Sequence, residues 1–380
     1  MKVIILGAGR VGAPMAVDLA KDKKYQVTAV DYSAEVLNRL KRKYPQVLTV
    51  QYDLSNPQGV TALVSEYDLV INAVPGFMGF ETAKAVIHAG KSGTCIAFYE
   101  EDPFELDRLA RENNVTMIMD CGIYPGMGSA LIMHTAQKLD KVERVLTYVG
   151  GLPEIREWPS EYKAVFSPID VIEEYIRPAR YIENGHEVVR PALSDPEYVF
   201  FPKIGTLEAF NTDGLRTLAK TLDAPNMKEK TLRYPGHIEK MAVLRAMGFF
   251  SKEPTLTING QKVSPLEVTA QILFPNWRLK PGEGDITIFR STVEGLKDGK
   301  KIKYTIDMFD RYCPETDVTS MARTTGYTAT LALRMIAEGL YTRKGISPPE
   351  YMGKHPECVD YMMKGLQERG IRYTIKKTEM

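Results

Sequence analysis

The sequence predicts an α/β protein with three parts. A doubly wound parallel sheet comes first, an α+β domain follows, and a C-terminal helix returns to the first domain. Three observations carry this. Residues 2–120 alternate short apolar runs with amphipathic stretches without a break, the signature of β-α units around a parallel sheet. From residue 142 the apolar runs take on period-two alternation with few helical stretches between them, as in an antiparallel or mixed sheet with one solvated face. Residues 320–339 are one long Ala- and Leu-rich helical stretch. The expected domains are 1–125, 126–319 and 320–380, since 380 residues exceed one small core.

The chain opens on Lys2-Val3-Ile4-Ile5-Leu6, an uninterrupted apolar run that reads as a buried parallel strand. Gly7-Ala8-Gly9-Arg10-Val11-Gly12 follows at once, then apolar residues at helical spacing over 13–20. A second β-rich run, 26–30, ends at Asp31. In such a unit Gly7 permits the tight turn, Gly9 lets a pyrophosphate approach the backbone, and Gly12 lets the helix pack on the sheet. Arg10 and Val11 complete the loop, and the helix amino end holds the phosphates. Asp31 stands close to the expected spacing, about 20 residues on, for the carboxylate that accepts from ribose hydroxyls. This is a Rossmann dinucleotide-binding pattern. Tyr32-Ser33 supply no adjacent Arg for a 2′-phosphate, and the Asp31 carboxylate repels one, so NAD is the expected cofactor.

The next elements continue the alternation. Residues 34–44 read as a helix and 47–51 as a third strand leading to Tyr52-Asp53-Leu54. Asp53 and Leu54 are expected beside the adenine; the alternative for Asp53 is the N-cap of a helix over 57–65. Residues 68–74 form a fourth strand whose carboxyl end carries Ala73, Val74 and Pro75 past the cofactor. Helix 81–89, strand 94–98, helix 103–113 and strand 116–120 follow. The run ends in Cys121-Gly122-Ile123-Tyr124-Pro125-Gly126-Met127, a glycine-rich loop at a strand's carboxyl end and the expected crevice.

In the second domain, strands are expected at 145–149, 198–202, 229–233, 255–258, 287–294 and 301–307, and helices at 168–175, 212–222, 237–247 and 265–273. The tail, with Pro348-Pro349 and a helix over 356–369, is expected to be a surface appendage of the first domain.

Composition narrows the function classes. A net charge of +1 gives no sign of a nucleic-acid or membrane partner. The longest apolar runs are far below transmembrane length, and the N-terminus lacks a signal peptide's apolar core. The four cysteines are scattered with no C-x-x-C, which fits a reducing cytoplasm. The five histidines form no metal-binding pair, so no metal is expected.

Several strings now stand together: Gly7–Gly12, Asp120–Met127, Tyr148-Val149-Gly150-Gly151-Leu152-Pro153, Tyr162-Lys163-Ala164-Val165-Phe166-Ser167-Pro168, Arg177-Pro178-Ala179, Glu208-Ala209-Phe210-Asn211-Thr212-Asp213-Gly214-Leu215-Arg216, Leu232-Arg233-Tyr234-Pro235-Gly236-His237-Ile238-Glu239-Lys240 and Arg323-Thr324-Thr325-Gly326. Together they resemble the saccharopine dehydrogenase-like family, and within it the L-lysine 6-dehydrogenases. The resemblance covers nearly the whole chain. It implies NAD-dependent oxidative deamination of a side-chain amine, a small amino acid or diamine substrate, and a homodimer through the second domain's sheet. One departure matters. Saccharopine-forming relatives carry an acid just before the Pro-Gly of the crevice loop, where this chain has Tyr124. That counts against saccharopine or carboxynorspermidine-type reductive condensation, the competing reaction. A non-enzymatic dinucleotide sensor is the competing reading of another class.

Oxidation of an amine needs a base to deprotonate it, a cation for the substrate's α-carboxylate and an acid for its α-ammonium. His237, at a helix start, is the expected base; the alternative is a structural histidine bonded to a backbone carbonyl. Asp213 and Arg216, three apart in the expected helix, are candidates for the α-ammonium and the α-carboxylate; the alternative is a dipole-favoured acid and a solvated Arg. Tyr124 is expected to pack against nicotinamide or substrate, or else between domains. Gly122 lines the substrate with it. Arg323 and Thr325 begin the returning helix, where they hold a carboxylate or cap the helix.

Overall fold

A computed structural model of the chain describes residues 1–280 and 282–380. The chain divides into two compact units. One comprises Met1–Asp140, Lys220–Leu222 and Met321–Thr374, the other Lys141–Ala219, Asp223–Ser320 and Ile375–Met380.

The first unit is built on a seven-stranded sheet. Its order is Gly345–Ser347, Thr116–Ile118, Ser92–Cys95, Leu69–Asn72, Lys2–Leu6, Gln26–Asp31, Leu48–Gln51, and the neighbours run parallel. The order reverses at Lys2–Leu6, so the switch point lies between that strand and Leu69–Asn72. Ligands bind outside the carboxyl ends of the strands at such a point. Val3, Ile4, Ile5 and Leu6 are fully buried, as a central strand covered by helices on both faces must be.

The tail is not a surface appendage. Gly345–Ser347 is the sheet's edge strand, and Ile346 sits in the core with Met117 and Val115. A Cβ on Gly353 would lie 2.2 Å from the carbonyl oxygen of Ala130, so the helix Pro349–Gly353 packs backbone to backbone on the helix Met127–Ala136. That packing keeps Met127–Ala136 in the first unit, past the boundary expected at residue 125.

The second unit holds a mixed sheet of order Glu197–Phe201, Gly205–Asn211, Met227–Arg233, Lys141–Pro153, Asp285–Lys297, Lys300–Arg311, Tyr373–Glu379. Ala179–Glu183 pairs with Met227–Arg233 and with His186–Arg190 off this path. Met227–Arg233 runs parallel to Lys141–Pro153, whereas Asp285–Lys297 is antiparallel to it. Gly150 lets two of these strands close: a Cβ there would stand 2.7 Å from the Cβ of Leu232. The helix expected over 212–222 shrinks to Leu218–Thr221. Thr212–Thr217 leave the strand Gly205–Asn211 as a loop, with Arg216 in the left-handed region at φ 50°, a conformation a helix cannot hold.

Candidate active site

The glycine loop is shaped by contacts that only glycine allows. Gly7 has φ +100°, and a Cβ there would lie 2.6 Å from the Ala73 carbonyl oxygen. A Cβ on Gly12 would lie 1.9 Å from the Gly7 carbonyl oxygen. Gly9 instead faces open space, with nothing within 4 Å. That is the side from which a pyrophosphate can approach the backbone. Arg10 is exposed and Val11 half-buried. The helix Gly12–Ala20 has no side chain capping its amino end, which leaves its positive end open to an anion.

Asp31 is oriented from both sides. One carboxylate oxygen accepts the Ala8 N–H at 3.0 Å and the other the Ser33 N–H at 2.9 Å. The glycine loop and the end of the second strand are thereby tied together. The remaining lone pairs can take ribose hydroxyls, so these residues fit a dinucleotide.

Other expected contacts divide. Asp53 is exposed and accepts the Ser55 N–H at 2.9 Å; that bond holds its carboxyl below the usual value. The cap of the next helix is Asn56, not Asp53: its side-chain oxygen accepts from Gln58 and Gly59. Leu54 and Val74 are buried in the sheet's core, so their side chains serve packing. Ala73 presents its carbonyl to Gly7, and Pro75 is exposed where the helix Gly76–His88 begins.

The crevice loop folds on itself. A Cβ on Gly126 would lie 1.7 Å from the Gly122 carbonyl oxygen, and the Met127 N–H donates to that oxygen at 2.9 Å. Asp120, buried, holds a left-handed backbone at φ 50°, and its carbonyl accepts the Gly122 N–H at 3.0 Å. Tyr124 is buried in the loop. A Cβ on Gly122 would stand 3.4 Å from the Thr325 methyl, so the structure brings Gly122 and Thr325 together. Arg323 is directed elsewhere: its guanidinium donates to the Arg369 carbonyl at 2.9 Å. One residue on, Gly326 lies against the glycine-loop helix, where a Cβ would stand 2.9 Å from Met15 Cγ and 3.5 Å from a Val11 methyl.

Behind that contact sits a buried acid the sequence did not reveal. Asp18, on the helix Gly12–Ala20, accepts from Thr330 at 2.6 Å, Arg334 at 2.7 Å and Arg369 at 2.8 Å. Burial pushes its carboxyl up, but the two guanidiniums outweigh this and hold it below the ordinary value.

In the second unit, Asp213 is fully engaged by Arg180. The backbone N–H donates at 3.1 Å and the guanidinium at 2.9 and 2.6 Å. Arg216 is buried. Asp213 and Arg216 therefore sit on one loop, not on one helix face. Beneath that loop lies Glu229, another residue missed from the sequence. It accepts the Thr212 hydroxyl at 2.6 Å and the Gly214 N–H at 3.1 Å. Burial pushes its carboxyl up to about 8.

His237 does begin a helix, His237–Ala246, but its ring is wholly buried. Nδ1 lies 2.6 Å from the Ser160 carbonyl oxygen, which only a ring N–H can satisfy, so Nδ1 donates there. Nε2 then accepts the Tyr175 hydroxyl at 2.8 Å, and that oxygen accepts from Arg233 at 3.2 Å. Burial, then the neighbouring Arg233, lowers the imidazole to about 3. With both nitrogens occupied and no exposed edge, the ring has the arrangement of the structural alternative and has no access to a substrate as a base. Lys240, on the same helix, pairs with Glu161 at 3.4 Å.

Among the described residues no group of three His, Cys, Asp or Glu side chains is placed to hold a metal ion. Among the same residues no helix is long and apolar enough to cross a membrane.

Known proteins can now be set beside this geometry. Residues 3–118 match the saccharopine dehydrogenase NADP binding domain and residues 122–371 the saccharopine dehydrogenase C-terminal domain. The mitochondrial alpha-aminoadipic semialdehyde synthase of Bos taurus is 23% identical over 452 residues, covering 99% of this chain and 48% of that protein. The chain thus spans about half the length of that relative. The carboxynorspermidine synthase of Vibrio alginolyticus is 23% identical over 392 residues, covering 94% of this chain and 93% of that one. Apo saccharopine dehydrogenase (L-Glu forming) from Saccharomyces cerevisiae superposes with a TM-score of 0.80 at 18% identity over 99% of both chains, which shows a shared fold. With a glycine loop built for a dinucleotide and two family domains spanning nearly its whole length, the chain belongs to the saccharopine dehydrogenase family of oxidoreductases.

Proposed function

We propose that this chain is an NAD-dependent dehydrogenase acting on a CH–NH2 group, in the manner of L-lysine 6-dehydrogenase. Asp31 is the observation that carries the reading. Its carboxylate is fixed by two backbone N–H groups at the end of the second strand. There it accepts ribose hydroxyls and repels a 2′-phosphate. This favours NAD, although the matched family domain is described by NADP.

The substrate reading rests on the family resemblance, which implies an acid in saccharopine-forming members where this chain has Tyr124. In the overall reaction a protonated side-chain amine, NAD and water give an aldehyde, ammonium, NADH and one proton. When bound, the nicotinamide accepts the hydride. The chain must hold the amino acid and take the amine's proton. Gly122, Tyr124 and Thr325 line the reacting end. Asp213 and Arg216 share one loop of the second unit, where Arg180 already holds the Asp213 carboxylate. Asp120 is the single carboxylate of the loop 119–127, at the carboxyl end of Thr116–Ile118. We assign amine deprotonation to it, and to His237 the task of holding the Ser160 backbone. The reading includes a homodimer through the second unit's sheet, by family resemblance. It places the chain in a reducing cytoplasm, where its four free cysteines are stable.

Reductive condensation is the second reading, because the relatives include a carboxynorspermidine synthase of nearly the same length. The test is cofactor reduction, followed by absorbance, with NAD and NADP against lysine, ornithine, linear diamines and saccharopine. Reduction of NAD with lysine or a neighbouring amine is expected. Activity confined to saccharopine, or to NADP, overturns the proposal.

A further inference from the structure

We propose that the edge strand Glu197–Phe201 pairs, antiparallel, with the same strand of a second copy of this chain, about a two-fold axis at Val199; the inference rests on the homodimer reading and narrows it to one strand of the second unit's sheet.

The outer strands of that sheet differ in how they meet solvent. Tyr373–Glu379 carries Lys376 and Lys377, and His186–Arg190 carries Glu187 and Arg190. Charged side chains of this kind guard a sheet edge against pairing with another chain. Glu197–Phe201 reads Glu-Tyr-Val-Phe-Phe and has no such guard. Its register with Gly205–Asn211 runs without a bulge. Its one charge is already engaged: Glu197 accepts the Tyr148 hydroxyl at 3.1 Å and pairs with Lys230 at 2.8 Å. Among the described residues no strand lies along its outer side.

Tyr198 and Phe200 are 68% and 64% exposed. Two residues apart on a strand, they share one face. Their neighbours across the ladder, Glu208 and Thr206, leave both rings uncovered. Single exposed apolar residues need no explanation. Two aromatic rings on one unguarded edge make a template for association.

The strand is complementary to itself, which names the occupant. A two-fold axis normal to the sheet at Val199 sets Tyr198 opposite Phe200 of the partner subunit, and Phe200 opposite Tyr198 of the partner subunit. Both aromatic pairs then fall on one face. At the strand ends Pro196 meets Pro202 of the partner subunit, and beyond them Asp195 meets Lys203 of the partner subunit. The Asp195 side chain is 54% exposed and Lys203 is exposed, so opposite charges close both ends of the ladder. The prolines also choose the register, because neither has an N–H to give. Sliding the pairing by two residues in either direction would set a proline opposite Tyr198 or Phe200, inside the ladder.

The experiment is sedimentation velocity on the full chain at micromolar concentrations, with cross-linking of Val199→Cys by copper phenanthroline as oxidant. The wild type is expected to be a dimer. Tyr198→Lys combined with Phe200→Lys sets ammonium against ammonium in both pairs and should weaken the dimer about a hundred-fold. Its circular dichroism spectrum should match wild type, since both side chains are exposed. Residues directly opposite in such a ladder have Cβ atoms about 4.5–5.5 Å apart, close to the reach of a disulfide. Val199→Cys should therefore give a covalent dimer that the wild type, with its own free cysteines, does not. The edge pairing is overturned if the wild type is a dimer but the double lysine variant dimerises within about two-fold of it, or if Val199→Cys fails to cross-link. Either result leaves the homodimer reading standing on another surface. A wild type that sediments as a monomer overturns both.

Discussion

Two buried carboxylates in this chain call for different chemistry. Asp120 sits in the crevice loop on a left-handed backbone, a costly conformation for a residue with a Cβ and one that concentrates at functional sites. Asp120→Asn keeps the shape and removes the base. It is expected to lower kcat roughly a hundred-fold or more while NAD affinity, measured by calorimetry, stays unchanged; equal turnover would remove Asp120 from the chemistry. Glu229 is the opposite case. Burial raises its carboxyl to about 8, and the Thr212 hydroxyl and Gly214 N–H offset that only in part. Its folded value lies above its unfolded one, so its contribution is fully present below about pH 4.5 and is lost as pH rises towards 8. Glu229→Gln keeps an acceptor for Thr212 and Gly214 and cannot ionise. The variant should match wild type in denaturant midpoint near pH 4.5 and exceed it by about 2 kcal/mol at pH 8. Parallel stability curves for the two proteins would contradict this. Neither residue is singled out by local sequence: Glu229 lies in an ordinary-looking strand, and its burial comes from a loop whose sequence reads as helix. The glycine loop and Asp31 were legible because turn, close approach and ribose contact each demand one residue type at one spacing.

The returning helix Ser320–Ala337 shows what one element adds to a site it does not contain. Its Gly326 touches Val11 and Met15 on the glycine-loop helix. Gly326→Leu overpacks this contact at about 1–3 kcal/mol. Because Val11 belongs to the phosphate loop, part of that cost should appear as an ADP-ribose affinity about ten-fold weaker. Unchanged affinity would show that the loop is rigid without the helix. A turn further on, Thr330 and Arg334 reach Asp18. Burial opposes this carboxylate, but Arg334 and Arg369 depress its folded value below the unfolded one. Its contribution is therefore present above about pH 4 and lost as pH falls through the folded value. Asp18→Asn leaves two guanidiniums facing a neutral amide and should cost roughly 3 kcal/mol at pH 7. The difference from wild type should shrink in acid-unfolding curves as pH drops below about 4. The helix itself was readable from its long apolar pattern. Its partners were not, since Asp18 and Arg334 are 316 positions apart in sequence and no local spacing links them.

The chain as a whole folds its first unit from both ends, and the seam explains where sequence reading ran out. Alternating strands and helices up to residue 118 announce a parallel sheet, and the second unit's long hairpin, Asp285–Lys297 with Lys300–Arg311, announces itself by period two. The three-residue strand Gly345–Ser347 carries too short a pattern to be seen, yet it completes the sheet's edge beside Thr116–Ile118. Its Ile346 is fully buried, and the helices after it supply buried Met352, Cys358, Val359, Met362 and Leu366. Fully burying side chains of this size is worth about 1.5–3 kcal/mol each, before the unfolded chain's own burial is discounted. Six such residues rival the roughly 5–15 kcal/mol that stabilises a whole domain. Deleting residues 341–380 should therefore abolish cooperative thermal unfolding of the first unit and ADP-ribose binding with it, although every residue assigned to the dinucleotide lies before residue 80. Circular dichroism melts and calorimetry on the shortened chain read this directly. A shortened protein that melts cooperatively and binds ADP-ribose within about three-fold of wild type, roughly 0.6 kcal/mol, would return the tail to the role of an appendage.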